Sequence, residues 1–449
     1  MKIKRYLVLI LILALLSGCG SAPQILPAPP ETAARSEETA AELTSVPESE
    51  TEETQTEAPP VTAAEPETTE AETTPEALTT EAETPAATTE EQATETPADP
   101  AEATARDILA GMSTEDKVAQ LFIVAPEALT GMDQVTAAGE ATRNAFDRRP
   151  VGGLIYFEPN LLSWDQTADM LSAATDISLE RTGLVPFLCL DEEGGIVTRI
   201  SKRGFGVADI PGMGDVGSRG DVSEARELGD TMGSYLSELG FNMDFAPCAD
   251  TLTNPDNQVV RGRSFGSDPQ LVSEMCAAIA EGLAQHGVLA CYKHFPGHGA
   301  TAGDTHAGYA YTDKTLDELK AEDLIPFIDG IANGVPVIMI GHISLPNVLP
   351  DETPASLSHE LITGLLREDL GYDGLIVTDA LAMGAIANQY SSAEAAVRAI
   401  TAGADLLLMP LDFGAAYQGM LDALANGTIS QERLNESVLR IITAKLSLS

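Results

Sequence analysis

Eight short apolar runs recur along the chain, and each is followed by loop residues and then by a stretch with helical spacing. The runs are apolar at nearly every position, which is typical of parallel strands that are buried on both faces. Strands that alternate with helices predict an α/β fold. The runs are 121–125, 153–157, 186–190, 241–246, 289–292, 335–340, 375–378 and 405–409.

The stretches between these runs carry apolar residues at three- and four-residue intervals, which is the spacing of amphipathic helices. The clearest of them are 223–239, 269–286, 315–332 and 393–402. Thr315 and Glu318 form a Thr-x-x-Glu capping box at the start of one helix. Eight β/α units within 105–449 predict a (β/α)8 barrel of the TIM type, with a doubly wound open sheet as the alternative.

Ionisable residues follow several of the apolar runs, at the point where each strand should end. In a (β/α)8 barrel the carboxyl ends of all the strands form one rim, and the functional site is built there. We therefore expect these side chains to converge on one rim. They are Asp191, Asp244, Asp250, Lys293, His294, His342 and Asp379.

The first residues have the pattern of an export signal, because basic residues precede an apolar run over 6–16 that is too short to span a bilayer. The run leads into Leu16-Ser17-Gly18-Cys19, which is similar to a bacterial lipobox. We predict a signal peptide over 1–18 and a lipidated Cys19 that anchors the protein to the outer face of the cell membrane. An ordinary signal peptide with an incidental cysteine is the alternative.

Residues 19–104 repeat Thr, Glu, Pro and Ala and contain no aromatic residue. Such a segment cannot bury enough apolar surface to offset chain entropy, so it is predicted to be a disordered tether. The formal net charge of the chain is −44, and the tether accounts for only part of it. Because 105–449 is also acidic and has no Lys/Arg-rich stripe, nucleic acid is not an expected partner, and a monomer is predicted.

Lys293 and His294 directly follow the run 289–292. Ammonium and imidazole groups donate hydrogen bonds, so two neighbouring donors suit two adjacent sugar hydroxyls, although a solvated pair at a strand end is the alternative. In the glycine-rich loop that follows, Asp304 could orient His306 through one imidazole nitrogen, and such a dyad can give and take back a proton. Asp-x-His by itself is also common in surface turns.

Asp379 follows the apolar run 375–378, so its carboxylate should be partly shielded from water. The functional interpretation is a nucleophile that attacks an anomeric carbon and forms a glycosyl ester. The structural interpretation is an N-cap for a helix over 380–387, because Asp is a good capping residue. The residue and its flanking run do not decide between the two.

Six ordered motifs resemble those of glycoside hydrolase family 3, in the bacterial β-N-acetylhexosaminidase branch that lacks a second domain. The resemblance covers most of 105–449. The motifs are VGGLIYF at 151–157, LDEEGG at 190–195, RGRSFG at 261–266, KHFPGHG at 293–299, DTH at 304–306 and IVTD at 376–379.

The resemblance implies a retaining enzyme that removes terminal, non-reducing β-linked N-acetylglucosamine through a covalent glycosyl-Asp intermediate. It implies that Asp379 is the nucleophile, His306 the acid/base and Asp304 the dyad partner of His306. The sugar-binding positions that it implies are Asp191, Arg199, Arg263, Lys293 and His294. It implies no cofactor and no metal, and peptidoglycan fragments or related oligosaccharides are the expected carbohydrate substrates.

Two positions depart from the usual family pattern. Ile196 stands where an arginine is usual, and Glu192 stands where a glutamine is common. Neither departure removes a matched site residue, but both could alter the rim of the site.

Several alternatives to this function stay open at the level of the sequence. They are a β-glucosidase or β-xylosidase of the same family, a β-N-acetylglucosaminide phosphorylase, and a sugar-binding lipoprotein without activity. His294, His298 and His306 could form a metal site, although their spacing is loose. The cysteines of the globular part are expected to be buried free thiols, with a Cys189–Cys248 or Cys248–Cys291 disulfide as the alternative.

Overall fold

The computed structural model describes residues 100–305 and 310–448, and parallel strands form the centre of that part of the chain. Its strands are β1 (Phe122–Val124), β2 (Gly153–Ile155), β3 (Phe187–Leu190), β4 (Met243–Asp244), β5 (Leu289–Phe295), β6 (Ala310–Tyr311), β7 (Val337–Ile340), β8 (Ile343–Ser344), β9 (Leu375–Thr378) and β10 (Leu407–Leu408).

Eight of these strands pair side by side in the order β10-β1-β2-β3-β4-β5-β7-β9. A parallel bridge between Val377 in β9 and Leu406, just before β10, brings the two ends of the sheet together. The sheet therefore closes, and the predicted (β/α)8 barrel is confirmed. Seven of the eight predicted runs contain a strand of the barrel and the eighth, 289–292, is the first part of β5; every residue of β1, β3, β7 and β9 is buried.

Helices follow the strands and cover the outside of the barrel. The α-helices are α1 (Pro100–Gly111), α2 (Thr114–Gln120), α3 (Pro126–Thr130), α4 (Glu140–Arg148), α5 (Trp164–Thr182), α6 (Met213–Arg219), α7 (Val222–Leu239), α8 (Pro269–Ala284), α9 (Leu316–Ala321), α10 (Ile325–Ala332), α11 (Gly384–Ala387), α12 (Ser392–Ala402), α13 (Phe413–Ala425) and α14 (Gln431–Leu446), and a π-helix spans Glu360–Asp369. Side chains cap several of them, as at Ser163 before α5 and Asp268 before α8.

The stretch 315–332 differs from its prediction as one helix. The capping box forms as predicted, with the Thr315 N–H donating to the Glu318 carboxylate at 2.8 Å and the Glu318 N–H donating to Thr315 Oγ1 at 3.4 Å. The helix nevertheless ends early, and α9 and α10 are separate. Pro326 lies in the first turn of α10 and has no N–H to bond back to the preceding turn, which explains the break.

The four cysteines of the described residues, Cys189, Cys248, Cys276 and Cys291, are buried and free. The prediction of buried thiols is confirmed, and neither alternative disulfide is formed. None of the helices within 100–305 and 310–448 combines the length and apolar character that a membrane crossing requires.

The first described helix, α1, begins at Pro100, inside the stretch predicted as tether, and packs against α14. The predicted signal peptide over 1–18 and the predicted lipidation site Cys19 lie outside the described residues.

Candidate active site

A cavity of about 330 Å³ opens at the carboxyl ends of the barrel strands. Its position agrees with the rule that (β/α)8 barrels build their sites from the loops that follow the strands. All five predicted sugar-binding residues and the predicted nucleophile line it: Asp191, Arg199, Arg263, Lys293, His294 and Asp379. The structure therefore brings six of the eight sequence-predicted site residues of the barrel into one cavity.

Lys293 and His294 belong to β5, which continues to Phe295 and so runs three residues beyond the run predicted to end at 292. The extension is held on both sides, because Lys293 pairs with Met339 of β7 and bridges to Cys248 in the segment after β4. The Lys293–His294 peptide bond is cis.

Lys293 lies at the centre of a buried network of charges. Its Nζ is 2.8 Å from Asp191 Oδ1 and 2.6 Å from Glu193 Oε1. Arg263 binds the same Glu193 carboxylate with two nitrogens, at 2.7 and 2.8 Å. The two hydrogen bonds from one guanidinium fix the orientation of the Glu193 carboxylate and also balance its charge.

The network keeps Lys293 and Glu193 ionised. Burial would lower the pKa of Lys293, but the charges of Asp191 and Glu193 outweigh burial and raise that pKa. Burial would likewise raise the pKa of Glu193, but Arg263 and Lys293 hold that pKa far below its usual range. The cavity therefore presents fixed donors and acceptors to a ligand.

Glu193 was overlooked as a site residue at the level of the sequence, where it was only one letter of a motif. A usable signal existed, because residues two apart in an extended segment point to the same side. Asp191 and Glu193 are so spaced, and both reach Lys293.

Arg199 borders the cavity beside Asp191 and over an aromatic ring. Its Nη2 is 3.3 Å from Asp191 Oδ2, and its guanidinium lies 5.6 Å from the centre of the Phe157 ring. Such a contact between a cation and a ring face adds to the ion pair in holding the side chain.

The unusual Glu192 holds the loop that carries Arg199. One carboxylate oxygen accepts the N–H groups of Arg199 and Ile200, at 2.5 and 2.9 Å. The other accepts the N–H of Ser201 at 2.8 Å and the hydroxyl of Tyr235 at 2.9 Å. Because donors surround both oxygens, a carboxylate suits this position better than an amide, which has one accepting oxygen.

Ile196, the other departure from the family pattern, lies in the turn between Gly194 and Val197. Its side chain is 79% exposed and is not among the residues that line the cavity.

His294 is backed by Asp250, a buried carboxylate that follows β4. The Nδ1 atom of His294 is 2.7 Å from Asp250 Oδ2. Burial would raise the pKa of Asp250, but His294 and its hydrogen bond hold that pKa well below the usual range. The sequence predicted only that Asp250 lies on the same rim as His294, and the structure pairs the two side chains directly.

Asp379 is positioned by the end of β9. Its N–H donates to the carbonyl of Ile340 at 2.9 Å, and its Oδ1 accepts the N–H of Ala380 at 2.7 Å. The helix that follows is α11, which begins at Gly384 with Met383, not Asp379, at the N-cap position, so the N-cap interpretation is wrong. The carboxylate is left available to the cavity that it lines.

The charge state of Asp379 suits a nucleophile. Burial would raise its pKa, but the nearby His342 and His294 outweigh burial and lower it. His342 is itself fixed by hydrogen-bond distances of 2.7 Å to Ser356 Oγ and 2.9 Å to the Ala380 carbonyl. Asp379 is therefore ionised at neutral pH and able to attack.

The predicted proton-transfer loop is only partly described. Thr305 lines the cavity, whereas Asp304 is exposed and lines a neighbouring cavity of about 420 Å³. His306 lies outside the described residues. The role of Asp304 and His306 as an acid/base dyad stays a prediction.

Within the described residues, one group of side chains has the donor types and closeness of a metal site: Cys248, Asp250 and His294, with ligand atoms within 4.8 Å of one another. The separations of 2.7 Å between His294 and Asp250 and 3.2 Å between Cys248 and Asp250 are those of hydrogen bonds. Burial and the charge of Asp250 raise the pKa of the Cys248 thiol, whereas metals bind the thiolate. The group therefore fits a hydrogen-bonded network better than a metal site.

Known proteins share both the sequence and the fold of this chain. It is 33% identical over 347 residues to the β-hexosaminidase LpqI of Mycobacterium tuberculosis, an alignment that covers 75% of the chain and 84% of the relative. It is 32% identical over 326 residues to β-hexosaminidase A of Pseudoalteromonas piscicida, and the alignment covers 67% of the chain. The chain spans about half, 54%, of the length of that second relative.

A solved structure is similar as well: a glycoside hydrolase family 3 β-N-acetylglucosaminidase from Paenibacillus sp. str. FPU-7. The TM-score is 0.71 and the identity 37%, over 75% of this chain and 63% of that one. The family model of the glycosyl hydrolase family 3 N-terminal domain matches residues 113–444. The chain belongs to glycosyl hydrolase family 3, as its motifs predicted.

Proposed function

We propose that the protein is a retaining β-N-acetylhexosaminidase that removes terminal, non-reducing β-linked N-acetylglucosamine. The observation that carries the proposal is the placement of Asp379, an ionised carboxylate, in the same cavity as the charged groups around Lys293. A nucleophile opposite a set of fixed hydroxyl-binding groups is what a two-step glycoside hydrolysis needs. The β-hexosaminidase names of the relatives support the choice of sugar.

The size of the cavity supports the removal of one sugar at a time. Its volume of about 330 Å³ lies at the lower end of the usual range of ligand pockets, roughly 300–1,000 Å³. Lys293 donates hydrogen bonds to sugar hydroxyls, Asp191 accepts them, and His294 directs a ring nitrogen at a further hydroxyl. Arg199 and Arg263 complete the set of polar groups around the ring.

The reaction proceeds in two displacements. In the first, Asp379 attacks the anomeric carbon and forms a glycosyl ester, while protonated His306 gives its proton to the departing glycosidic oxygen. In the second, neutral His306 takes a proton from water, the water oxygen attacks the same carbon, and Asp379 leaves as a carboxylate. Both displacements invert, so the configuration is retained. Asp304 orients the His306 imidazole.

A panel of chromogenic substrates tests the reaction and its specificity. The full chain is expected to hydrolyse 4-nitrophenyl β-N-acetylglucosaminide and to leave the corresponding β-glucoside and β-xyloside nearly untouched. Proton NMR of the first product should show the β anomer. A preference for the β-glucoside would replace the proposed specificity, and a rate that depends on added inorganic phosphate would identify a phosphorylase instead.

The variant Asp379→Asn tests the nucleophile, with Asp373→Asn, an exposed residue of the preceding loop, as its matched control. Asp379→Asn should lower kcat by at least about 10³-fold, because the amide cannot form the ester intermediate. The control should retain its rate. Full activity in Asp379→Asn would show that Asp379 is not the nucleophile.

The place of action follows from the N-terminal sequence. Cys19 carries a diacylglycerol group that anchors the protein to the outer face of the cell membrane, and the Thr/Glu/Pro/Ala-rich residues that precede α1 let the barrel reach peptidoglycan fragments or related oligosaccharides. Cys19→Ser should release the protein from the membrane fraction and abolish incorporation of a labelled fatty acid. Unchanged membrane attachment in that variant would refute the anchor without affecting the enzymatic proposal.

A further inference from the structure

Asp250 is fully buried behind His294, and hydrogen bonds reach both of its carboxylate oxygens. Oδ1 accepts two backbone N–H groups, from His294 at 3.1 Å and from His298 at 2.6 Å. Oδ2 faces two side chains, His294 Nδ1 at 2.7 Å and Cys248 Sγ at 3.2 Å. Oδ1 therefore holds the backbone at His294 and His298, and Oδ2 orients the imidazole of His294.

An ionised carboxylate accepts hydrogen bonds but cannot donate them. The Nδ1 atom of His294 must therefore carry a proton to form its short contact with Asp250. That assignment leaves Nε2 as the ring nitrogen available to a ligand in the cavity that His294 lines.

Cys248 is the second partner of Oδ2, and the backbone around it is fixed against β5. The N–H of Ala249 donates to the Lys293 carbonyl at 2.7 Å, and Cys248 forms a parallel bridge with Lys293. Cys248 is fully buried and stays a thiol, so it donates to Asp250. The segment that carries Cys248 and Asp250 is thereby aligned with the strand that carries His294.

We propose that Asp250, supported by the thiol of Cys248, is a positioning residue that holds His294 as the Nδ1–H tautomer with Nε2 directed at a hydroxyl of the substrate. The inference rests on the proposed function for the identity of the substrate as a sugar. The tautomer itself depends only on the contacts of Asp250, so it can be tested without turnover.

The variant Asp250→Asn tests the proposal sharply, because the two backbone donors at Oδ1 determine how the amide sits. Its carbonyl oxygen must occupy the Oδ1 position, which places the NH₂ group against His294 Nδ1. That nitrogen then has to accept a hydrogen bond, so the proton moves to Nε2. The substitution should therefore reverse the tautomer while changing the volume of the side chain very little.

The measurement is ¹⁵N NMR of the full chain labelled at histidine, which has six histidines to resolve. The His294 signals are assigned by their loss in His294→Gln. In Asp250→Asn, the Nδ1 shift of His294 should move to the range of an unprotonated ring nitrogen. In parallel, kcat/KM for 4-nitrophenyl β-N-acetylglucosaminide should fall by roughly tenfold or more, as for other partners that orient a functional histidine.

Asp244→Asn is the matched control for the NMR measurement. Asp244 is also a buried carboxylate, lies in β4 and accepts a backbone N–H, but that N–H is the one of Glu192, at 2.8 Å. The His294 signals should not change in this variant. An unchanged Nδ1 shift in Asp250→Asn would overturn the proposal, and so would a reversed tautomer with unchanged kcat/KM.

If Asp250→Asn does not fold, Cys248→Ala decides the question, because it removes only the thiol. Loss of that donor should shift the His294 Nδ1 proton resonance and lower kcat/KM about two- to fivefold, as expected for one weak hydrogen bond. Cys276→Ala is the control, since Cys276 is equally buried and its Sγ faces the Cys248 carbonyl at 3.8 Å. Identical His294 signals in both cysteine variants would refute the proposal.

Inactivity of the unaltered chain on every β-glycoside would refute the proposed function but leave the NMR result intact. Activity in the unaltered chain together with a failed tautomer test would refute the positioning role alone. The two failures are therefore distinguishable.

Discussion

Two fully enclosed lysines lie at opposite ends of the barrel, and their surroundings differ. Lys293, 2% exposed, lies at the carboxyl rim between the carboxylates of Asp191 and Glu193. Lys445, 0% exposed, lies near the amino ends of β1 and β3, with Nζ 2.7 Å from Gln120 Oε1 and 5.1 Å from the centre of the Phe187 ring. The Lys293 ammonium therefore contacts two carboxylates, and the contacts of the Lys445 ammonium include an amide oxygen and an aromatic ring.

The difference shows what keeps a buried charge ionised. Burial lowers the pKa of both lysines, but at Lys293 the charges of Asp191 and Glu193 reverse the shift and raise the pKa. At Lys445 burial dominates and lowers the pKa to about 7. The rim therefore keeps its cation at every pH near neutrality, as the proposed sugar-binding role requires, whereas the opposite end holds an amine that loses its proton easily.

The same contrast sets the pH dependence of stability. Lys293 has a raised pKa and Glu193 a lowered one, so neither titrates near neutral pH in the folded chain. Lys445 releases its proton near pH 7 when folded, but keeps it to about pH 10 when unfolded. Between those values the unfolded state binds more protons, so the free energy of unfolding should rise with pH.

The largest expected effect is that of Lys293→Met. This change leaves the buried carboxylate of Glu193 and the partly exposed carboxylate of Asp191 with one cation fewer, and breaking a buried ion pair in this way costs about 3–5 kcal/mol. Arg199 and Arg263 still pair with them, so a loss near the lower value is expected. The free energy of unfolding by urea should fall accordingly, and kcat/KM should drop roughly a hundredfold or more because a hydroxyl donor is lost.

Lys293→Arg separates charge from shape at the same position. It restores the positive charge, so most of the stability should return, but the wider guanidinium does not fit between the two carboxylates as the ammonium does. Recovered stability without recovered activity is the expected result. A stable and active Lys293→Met would show that the ionic network is dispensable and that the two lysines are equivalent.

The rim could be predicted from the sequence because strands that are buried on both faces appear as uninterrupted apolar runs. The apolar runs before Asp191 and Asp379 located the ends of β3 and β9, and one rule about barrels then placed these side chains together with Lys293. The pairing of His294 with Asp250 was missed, because it joins residues from different strands and neither run shows which partner faces which. The extension of β5 was missed for a similar reason, since Lys293 and His294 are polar and do not continue an apolar pattern.

The opposite end of the barrel gave no such signal. Lys445 lies in the last turn of α14, where a lysine is expected to face water and interact with the helix dipole. Its burial depends on contacts with Gln120 and Phe187, which are far away in the chain. Patterns of local spacing do not contain that information.

Lys445→Met should have the next largest effect and the opposite sign. At pH 6 it removes the cost of burying a charged amine but leaves Gln120 Oε1 without its donor, so a net gain of roughly 1–3 kcal/mol in unfolding free energy is expected. The gain should shrink as pH rises from 7, since the folded chain then holds the neutral amine at little cost. Above about pH 10 the unaltered chain should be the more stable one, because it keeps the hydrogen bond.

Urea titrations of both proteins from pH 6 to pH 10.5 provide the measurement. Crossing stability curves are the expected result, and activity serves as a check that the rim is intact, since Lys445 lies at the other end of the barrel. Parallel curves would mean that Lys445 stays charged when folded, and the contrast between the two lysines would be lost.

Asp244→Asn should have the smallest effect, and it extends the comparison to a carboxylate. Asp244 Oδ1 accepts the Glu192 N–H, while Oδ2 has no hydrogen-bond partner among the described residues. Burial raises its pKa well above the usual range, so the folded chain holds a proton that the unfolded chain releases, and stability falls as pH rises from about 4. The amide avoids this loss. The free energy of unfolding of Asp244→Asn should therefore exceed that of the unaltered chain by roughly 1 kcal/mol at pH 7 and equal it at pH 3. A destabilised Asp244→Asn at pH 7 would instead indicate an ionised Asp244 that depends on the charge of Lys293, so this carboxylate would belong to the ionic network of the rim.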